Sequence, residues 1–135
     1  CPHRRGNPSH MKQRTHLTLM FVVETRRVRI GGISPSVKEV FNYLNTVLEQ
    51  RLGERPALVS HEQVFRIITK LRHDGYLFDP KLCAELRGVH RNLIPTPQGD
   101  TYVREHLRKE EDGEIFRREA YIRDQLSREH EQDIG

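Results

Sequence analysis

The stretch Ser60-His61-Glu62-Gln63-Val64-Phe65-Arg66-Ile67-Ile68-Thr69-Lys70-Leu71-Arg72-His73-Asp74-Gly75-Tyr76-Leu77 decides how the rest of the chain is read. Ser60 followed three positions later by Gln63 is a capping box, in which each side chain satisfies a backbone N–H that a helix start leaves open. Val64, Ile67, Ile68 and Leu71 then fall on one face at helical spacing, and Gly75 supplies a left-handed stop. The other face displays His61, Glu62, Gln63, Arg66, Thr69, Lys70 and His73. A helix over 60–73 with one apolar and one polar face follows.

Towards the N-terminus, Ser36 and Glu39 form a second capping box. Val37, Val40, Phe41, Leu44, Val47, Leu48 and Leu52 make an apolar stripe, so an amphipathic helix is expected over 36–52, with Gly53 as its stop. Arg55 to Val59 reads as an extended link. Before it, residues 16–30 are rich in β-branched and aromatic side chains and end at Gly31-Gly32. This content favours a strand, with a short buried helix as the alternative, because a continuous apolar run fits both. Towards the C-terminus, residues 81–96 read as two short strands around a basic Gly88 turn, that is, a hairpin. Asp79-Pro80 leaves a short helix over 79–87 as the rival reading. From Pro97 the composition is helical, over 101–109 and again over 114–130, with a break at Glu110-Glu111-Asp112-Gly113. The last stretch is so charged that its sparse stripe of Ile115, Phe116, Ile122 and Leu126 points to pairing with another copy of itself, or with the first segment of a partner subunit, rather than with its own domain.

This order of elements resembles the winged helix-turn-helix superfamily of DNA-binding proteins: mainly α with a small β-hairpin wing (α+β), and a long C-terminal helix. Residues 60–77 are similar to its recognition helix and first wing strand, and Leu93-Ile94-Pro95-Thr96-Pro97-Gln98-Gly99 to the exit from its wing. The layout is closest to bacterial replication terminator proteins and PadR-like regulators, which dimerise through the helix after the wing. Lys12-Gln13-Arg14 with Leu17 and Leu19 also looks like the start of the terminator family's first helix, although Arg26 to Gly32 departs from it as strand and turn. The resemblance implies a basic arm over 1–15, a winged-helix domain over 16–100 and a dimerisation helix over 101–135. It further implies a homodimer on double-stranded DNA, acting as a transcriptional regulator or a replication or partition factor. His61, Glu62, Gln63 and Arg66 would face base edges, Gln63 suiting adenine and Arg66 guanine, at roughly 1–3 kcal/mol of discrimination each. Thr69, Lys70 and Arg14 would meet phosphates, and Arg87, His90 and Arg91 at the wing tip the backbone or minor groove. Each has a plainer reading beside it: Gln63 as a cap, Arg66 and Lys70 as a solvated helix face, and Arg87 and Arg91 as a solvated turn.

Charge is segregated in the way a polyanion partner requires. Residues 1–100 carry 16 Lys/Arg against 9 Asp/Glu, a net +7, whereas residues 101–135 carry 7 against 10, a net −3. Arg outnumbers Lys 18 to 5, which suits planar recognition of phosphate and guanine. No phosphate loop, nucleophile elbow or HExxH helix is present, so no enzyme and no cofactor are expected. Eight histidines without CxxC or HxxxH spacing argue against a metal, and a Cys83–His90 pair is read as packing rather than chemistry. Cys1 and Cys83 are too few for a disulfide framework, and no apolar run reaches the ~20 residues of a membrane span. A cytoplasmic protein follows, nucleoid-associated if bacterial or archaeal. The chain opens on Cys1 and its His10-Met11 pair resembles the junction of a cloned tag, so residues 1–10 read equally as a native basic arm or as part of a tag. Two other classes compete: a protein-interaction module without DNA, and a single-strand binder, which 7% aromatic content disfavours.

Overall fold

A computed structural model describes residues 11–52, 59–86, 88, 89 and 92–134. Its centre is helix α1 (Gln13–Val28), which contacts each of the other four helices: α2 (Val37–Leu52), α3 (His61–His73), α4 (Pro97–Leu107) and α5 (Asp112–Ile134). Leu17, Thr18, Leu19, Met20, Phe21 and Val22 are buried in succession. Six consecutive residues exceed one helical turn, so α1 is covered on every side. This corrects the strand expected over 16–30. A helix apolar all round is the signature of a central helix, and burial among four neighbours outweighs the modest strand preference of Val, Thr and Phe. Thr18, one of several buried polar residues of α1, donates its hydroxyl back to the Arg14 carbonyl at 2.8 Å.

The winged α+β fold is also overturned: among the described residues there is no strand, only an isolated antiparallel bridge between Leu77 and Pro95. The architecture is all-α. Where the wing was expected, the backbone closes a series of tight turns. Leu82 N–H and Cys83 N–H donate to the Asp79 carbonyl, Leu86 to Cys83, Val89 to Leu86 and Asn92 to Gly88. Asp79 begins the series by accepting the Lys81 N–H on its side chain at 2.9 Å. Donors spent locally are not available for a cross-strand ladder. The rival short helix over 79–87 is not formed either. Cys83, Val89 and Leu93 are buried, Cys83 in this turn rather than in a strand. Leu93 N–H reaches the Pro35 carbonyl at 3.1 Å, fixing the segment to the link before α2.

The helices foreseen over 36–52 and 60–73 form with both capping boxes closed. Gly75 takes the left-handed conformation with φ +85°. The helix expected from Thr101 starts earlier, at Pro97, because Thr96 caps it and proline suits a first helical position. Gly53 lies outside the described residues.

Helix α5 does pack on its own domain, contrary to the expectation that its stripe needed a second copy. Ile122 is buried in the core, and Tyr121 and Leu126 lean on it. The decisive contact is polar: Arg118, 3% exposed, engages both carboxylate oxygens of Glu24, 0% exposed, and also Glu110 in the turn between α4 and α5. Glu110 in turn lies 3.6 Å from His16 Nε2, and His16 Nδ1 hydrogen-bonds the Tyr102 hydroxyl at 2.9 Å. Burial pushes the Glu24 carboxyl up while the Arg118 bonds pull it down. Burial would lower Arg118, but its bonds to Glu24 and Glu110 prevail and hold the guanidinium charged. His16 is held below its usual value, first by burial and then by the neighbouring His106.

Arg118→Met leaves Glu24 buried without a counter-charge and is expected to cost about 3–5 kcal/mol in urea unfolding. The double variant Glu24→Leu/Arg118→Met should recover most of that; equal instability of single and double would show that the ion pair is not what the site responds to. Because His16 binds a proton more weakly folded than unfolded, its contribution is complete above about pH 6.5 and is lost as the pH falls through the folded value. Accordingly His16→Gln should lose less stability than the parent between about pH 7 and pH 5. Parallel stability curves would remove His16 from the acid response.

Candidate nucleic-acid interface

Helix α3 is the most outward-facing amphipathic element of the body. Val64, Ile68 and Leu71 are buried while His61, Glu62, Gln63, Arg66, Thr69, Lys70 and His73 are exposed, as the sequence pattern requires. Two anchors set its position. At the start, Asn45 of α2 grips Val59 with both ends of its amide, accepting from Val59 N–H at 2.8 Å and donating to the Val59 carbonyl at 3.2 Å. At the end, the Thr96 hydroxyl donates to the Gly75 carbonyl and accepts from Gly99 N–H, and Gln98 donates to the Asp74 carbonyl. Arg72 reaches from the last turn of α3 to the Val89 carbonyl at 3.4 Å; burial lowers its pKa.

The expected base-facing residues have distinct local duties. Gln63 accepts from Ser60 N–H at 3.0 Å, so its amide closes the capping box. The His61 ring stacks on Phe41, with centroids 3.9 Å apart and planes 10° from parallel. Glu62 and Arg66, each side chain 74% exposed, pair one turn apart at 2.6 Å, and Lys70 pairs with Asp74 at 3.0 Å. Pairs of this i, i+4 kind are worth only about 0.3–0.5 kcal/mol. Thr69 is exposed beside them.

The fold also brings a basic residue of the N-terminal segment to this helix. Met11, Lys12 and Thr15 form one side of a groove of about 440 Å³, and Arg66, Ile67 and Lys70 form the other. Lys12, Arg66 and Lys70 face a single acid there, Asp74. Arg14 is half-buried on the first turn of α1. Arg87, His90 and Arg91 lie outside the described residues. Phe65 stands 55% exposed on the flank of α3, above a small cleft with Val37 and Phe41 on its walls.

Sequence reasoning missed Asn45, Thr96 and Lys12. Asn45 looks like any polar residue on the solvent face of a helix, and its partner is a backbone group 14 positions away. Thr96 before Pro97 does carry a readable signal, an N-cap followed by proline. Among the described residues no three His, Cys, Asp or Glu side chains gather as a metal site, and no helix is long and apolar enough to cross a membrane. No protein-family model, curated protein or solved structure matches this chain.

The turn that follows α3 meets the start of α4 at a close backbone approach. A Cβ at Gly99 would stand 2.3 Å from the Tyr76 carbonyl oxygen. Gly99→Ala is therefore expected to destabilise by about 1–3 kcal/mol, read as a fall in Tm by circular dichroism. Gly113→Ala in the first turn of α5 meets nothing within 4 Å and should stabilise by up to about 1 kcal/mol. Equal effects of the two changes would refute the close contact.

Proposed function

We propose that this protein binds double-stranded DNA through α3, with no β-wing involved, and is not an enzyme. The observation that carries the reading is the groove in which Lys12 from before α1 stands opposite Arg66 and Lys70 of α3. Cations from two elements flank one exposed helix face, the arrangement that lets phosphate contacts orient a helix whose side chains read bases. Arg66, freed from Glu62, is the side chain suited to guanine. Thr69, Lys70 and Lys12 suit phosphates, with Arg14 adjacent in sequence. Gln63 and His61, engaged with Ser60 and Phe41, contribute less to readout than their positions suggest.

The same reading makes the protein a homodimeric regulator or replication factor acting in the cytoplasm, on the nucleoid if the source is bacterial or archaeal. Helix α5 keeps an outer face with Phe116 70% exposed after Ile122 is buried, which leaves an apolar anchor for a second copy. Sedimentation equilibrium tests this: a monomer at all concentrations would remove the dimer. The protein-docking alternative is favoured by one feature, the exposed Phe65 beside Val37 and Phe41.

Selection from a randomised duplex pool across a salt series is expected to enrich one sequence. Arg66→Ala should relax the preference at one position at a cost of about 1–3 kcal/mol, and Lys70→Ala should weaken binding to all sequences while reducing the salt slope by about one. Phe65→Ser should leave DNA binding unchanged. Weak, sequence-indifferent binding untouched by Arg66→Ala would refute the DNA reading.

A further inference from the structure

A second cavity, on a different face of the molecule, opens where α1, α2 and α5 meet. Its volume is about 390 Å³, within the roughly 300–1,000 Å³ typical of small-molecule sites. Phe21, Thr25 and Ile122 line it and are all buried, and Tyr121 adds an aromatic wall. Phe21 stacks on Tyr43 with centroids 4.3 Å apart and meets Tyr121 edge-on at 6.2 Å, so the aromatic side is held rigid before anything binds.

Two features distinguish this cavity from an ordinary gap between helices. The first is an unmet polar group: Thr25, 1% exposed, carries a hydroxyl that is fully buried and has no hydrogen-bond partner. A helical threonine normally returns its hydroxyl to the preceding turn, as Thr18 does here, and a buried hydroxyl left without a partner costs about 1–3 kcal/mol. The second is charge. Arg29 of the α1 C-terminus, Lys38 of α2 and Arg128 of α5 all line the cavity, against the single carboxylate of Glu39. Arg29 and Glu39 bind each other in a two-pronged pair, which fixes one wall and cancels that charge. Lys38 and Arg128 remain as positive groups, Arg128 with only an exposed partner, Asp124, at 3.3 Å.

The geometry points to a binding site for a small organic anion with an apolar ring. The ring sits among Phe21, Ile122 and Tyr121, and the anionic head meets Lys38 and Arg128. Phosphate or acetate alone would leave the apolar wall unused, and a neutral ring would leave the two cations unused. A ligand here touches α1, α2 and α5 together and so clamps the charged C-terminal helix onto the body. The inference does not depend on DNA binding.

The test uses the full chain and three probes of graded chemistry: benzoate, benzyl alcohol and acetate. Binding is followed by calorimetry and by amide chemical-shift changes. Benzoate is expected to saturate, with shifts concentrated near Thr25, Asn42 and Gln125. Benzyl alcohol, lacking the charge, and acetate, lacking the ring, should each bind at least about tenfold more weakly. Lys38→Ala/Arg128→Ala, both surface changes, should weaken benzoate by about tenfold while leaving benzyl alcohol unaffected. Thr25→Val, nearly the same shape, should raise Tm, because it removes the unpaired hydroxyl. Three results overturn the proposal: no saturation by benzoate, equal binding of benzoate and benzyl alcohol, or unchanged benzoate affinity in the double variant.

Discussion

The rest of the structure depends on one buried guanidinium. Arg118 comes from the highly charged helix α5 and reaches two carboxylates, Glu24 of α1 and Glu110 in the turn before α5. Removing three charged groups from water costs several kcal/mol per ion, and only close geometry with satisfied hydrogen bonds compensates. That geometry fixes the azimuth of α5, since the helix cannot rotate or slide without stranding Glu24 at full burial. Apolar contacts of Tyr121, Ile122 and Leu126 then settle onto the core. The aromatic trio of Phe21, Tyr43 and Tyr121 adds area between α1, α2 and α5 but tolerates small shifts that the ion pair does not.

This arrangement makes α1 the organising element and α3 the presented one. Because α1 contacts all four partners, α3 spends only its apolar stripe on the body and keeps its polar face outward. The anchors at its two ends are backbone-directed hydrogen bonds from Asn45 and Thr96, which position a helix without using the residues it displays. The weak surface pairs of Glu62 with Arg66 and Lys70 with Asp74 leave that face close to neutral until a stronger anion competes.

Much of the candidate site was legible in the residues. The exposed row from His61 to Lys70, the caps at Ser36 and Ser60 and the stop at Gly75 all come from interactions spanning three or four positions. The turn segment was not legible in the same way. Leu82-Cys83-Ala84-Glu85-Leu86 is a short apolar run that a strand fits as well as a turn, and Asp79-Pro80 gave the hint that the backbone donors would be used locally. The β-wing of the expected fold depended on that hairpin, and among the described residues between 79 and 92 tight turns stand in its place. Lys12 was noted as basic, but its place opposite Arg66 depends on where α1 begins and how it crosses α3.

The sequence by itself determined the helices whose signals are local: α2, α3 and the separation of α4 from α5, each marked by caps, stripes or a break within a few residues. It also determined the segregation of charge between the body and the last 35 positions. Only the tertiary structure decided that residues 13–28 are a helix, because an apolar run buried on all sides has no periodicity with which to declare itself. Only the tertiary structure decided that α5 belongs to its own domain. Glu24 and Arg118 lie 94 positions apart, and nothing in the neighbourhood of either residue announces the other. Local signals come from bonds that close within one turn of chain, whereas burial and counter-charge are properties of what the fold brings alongside.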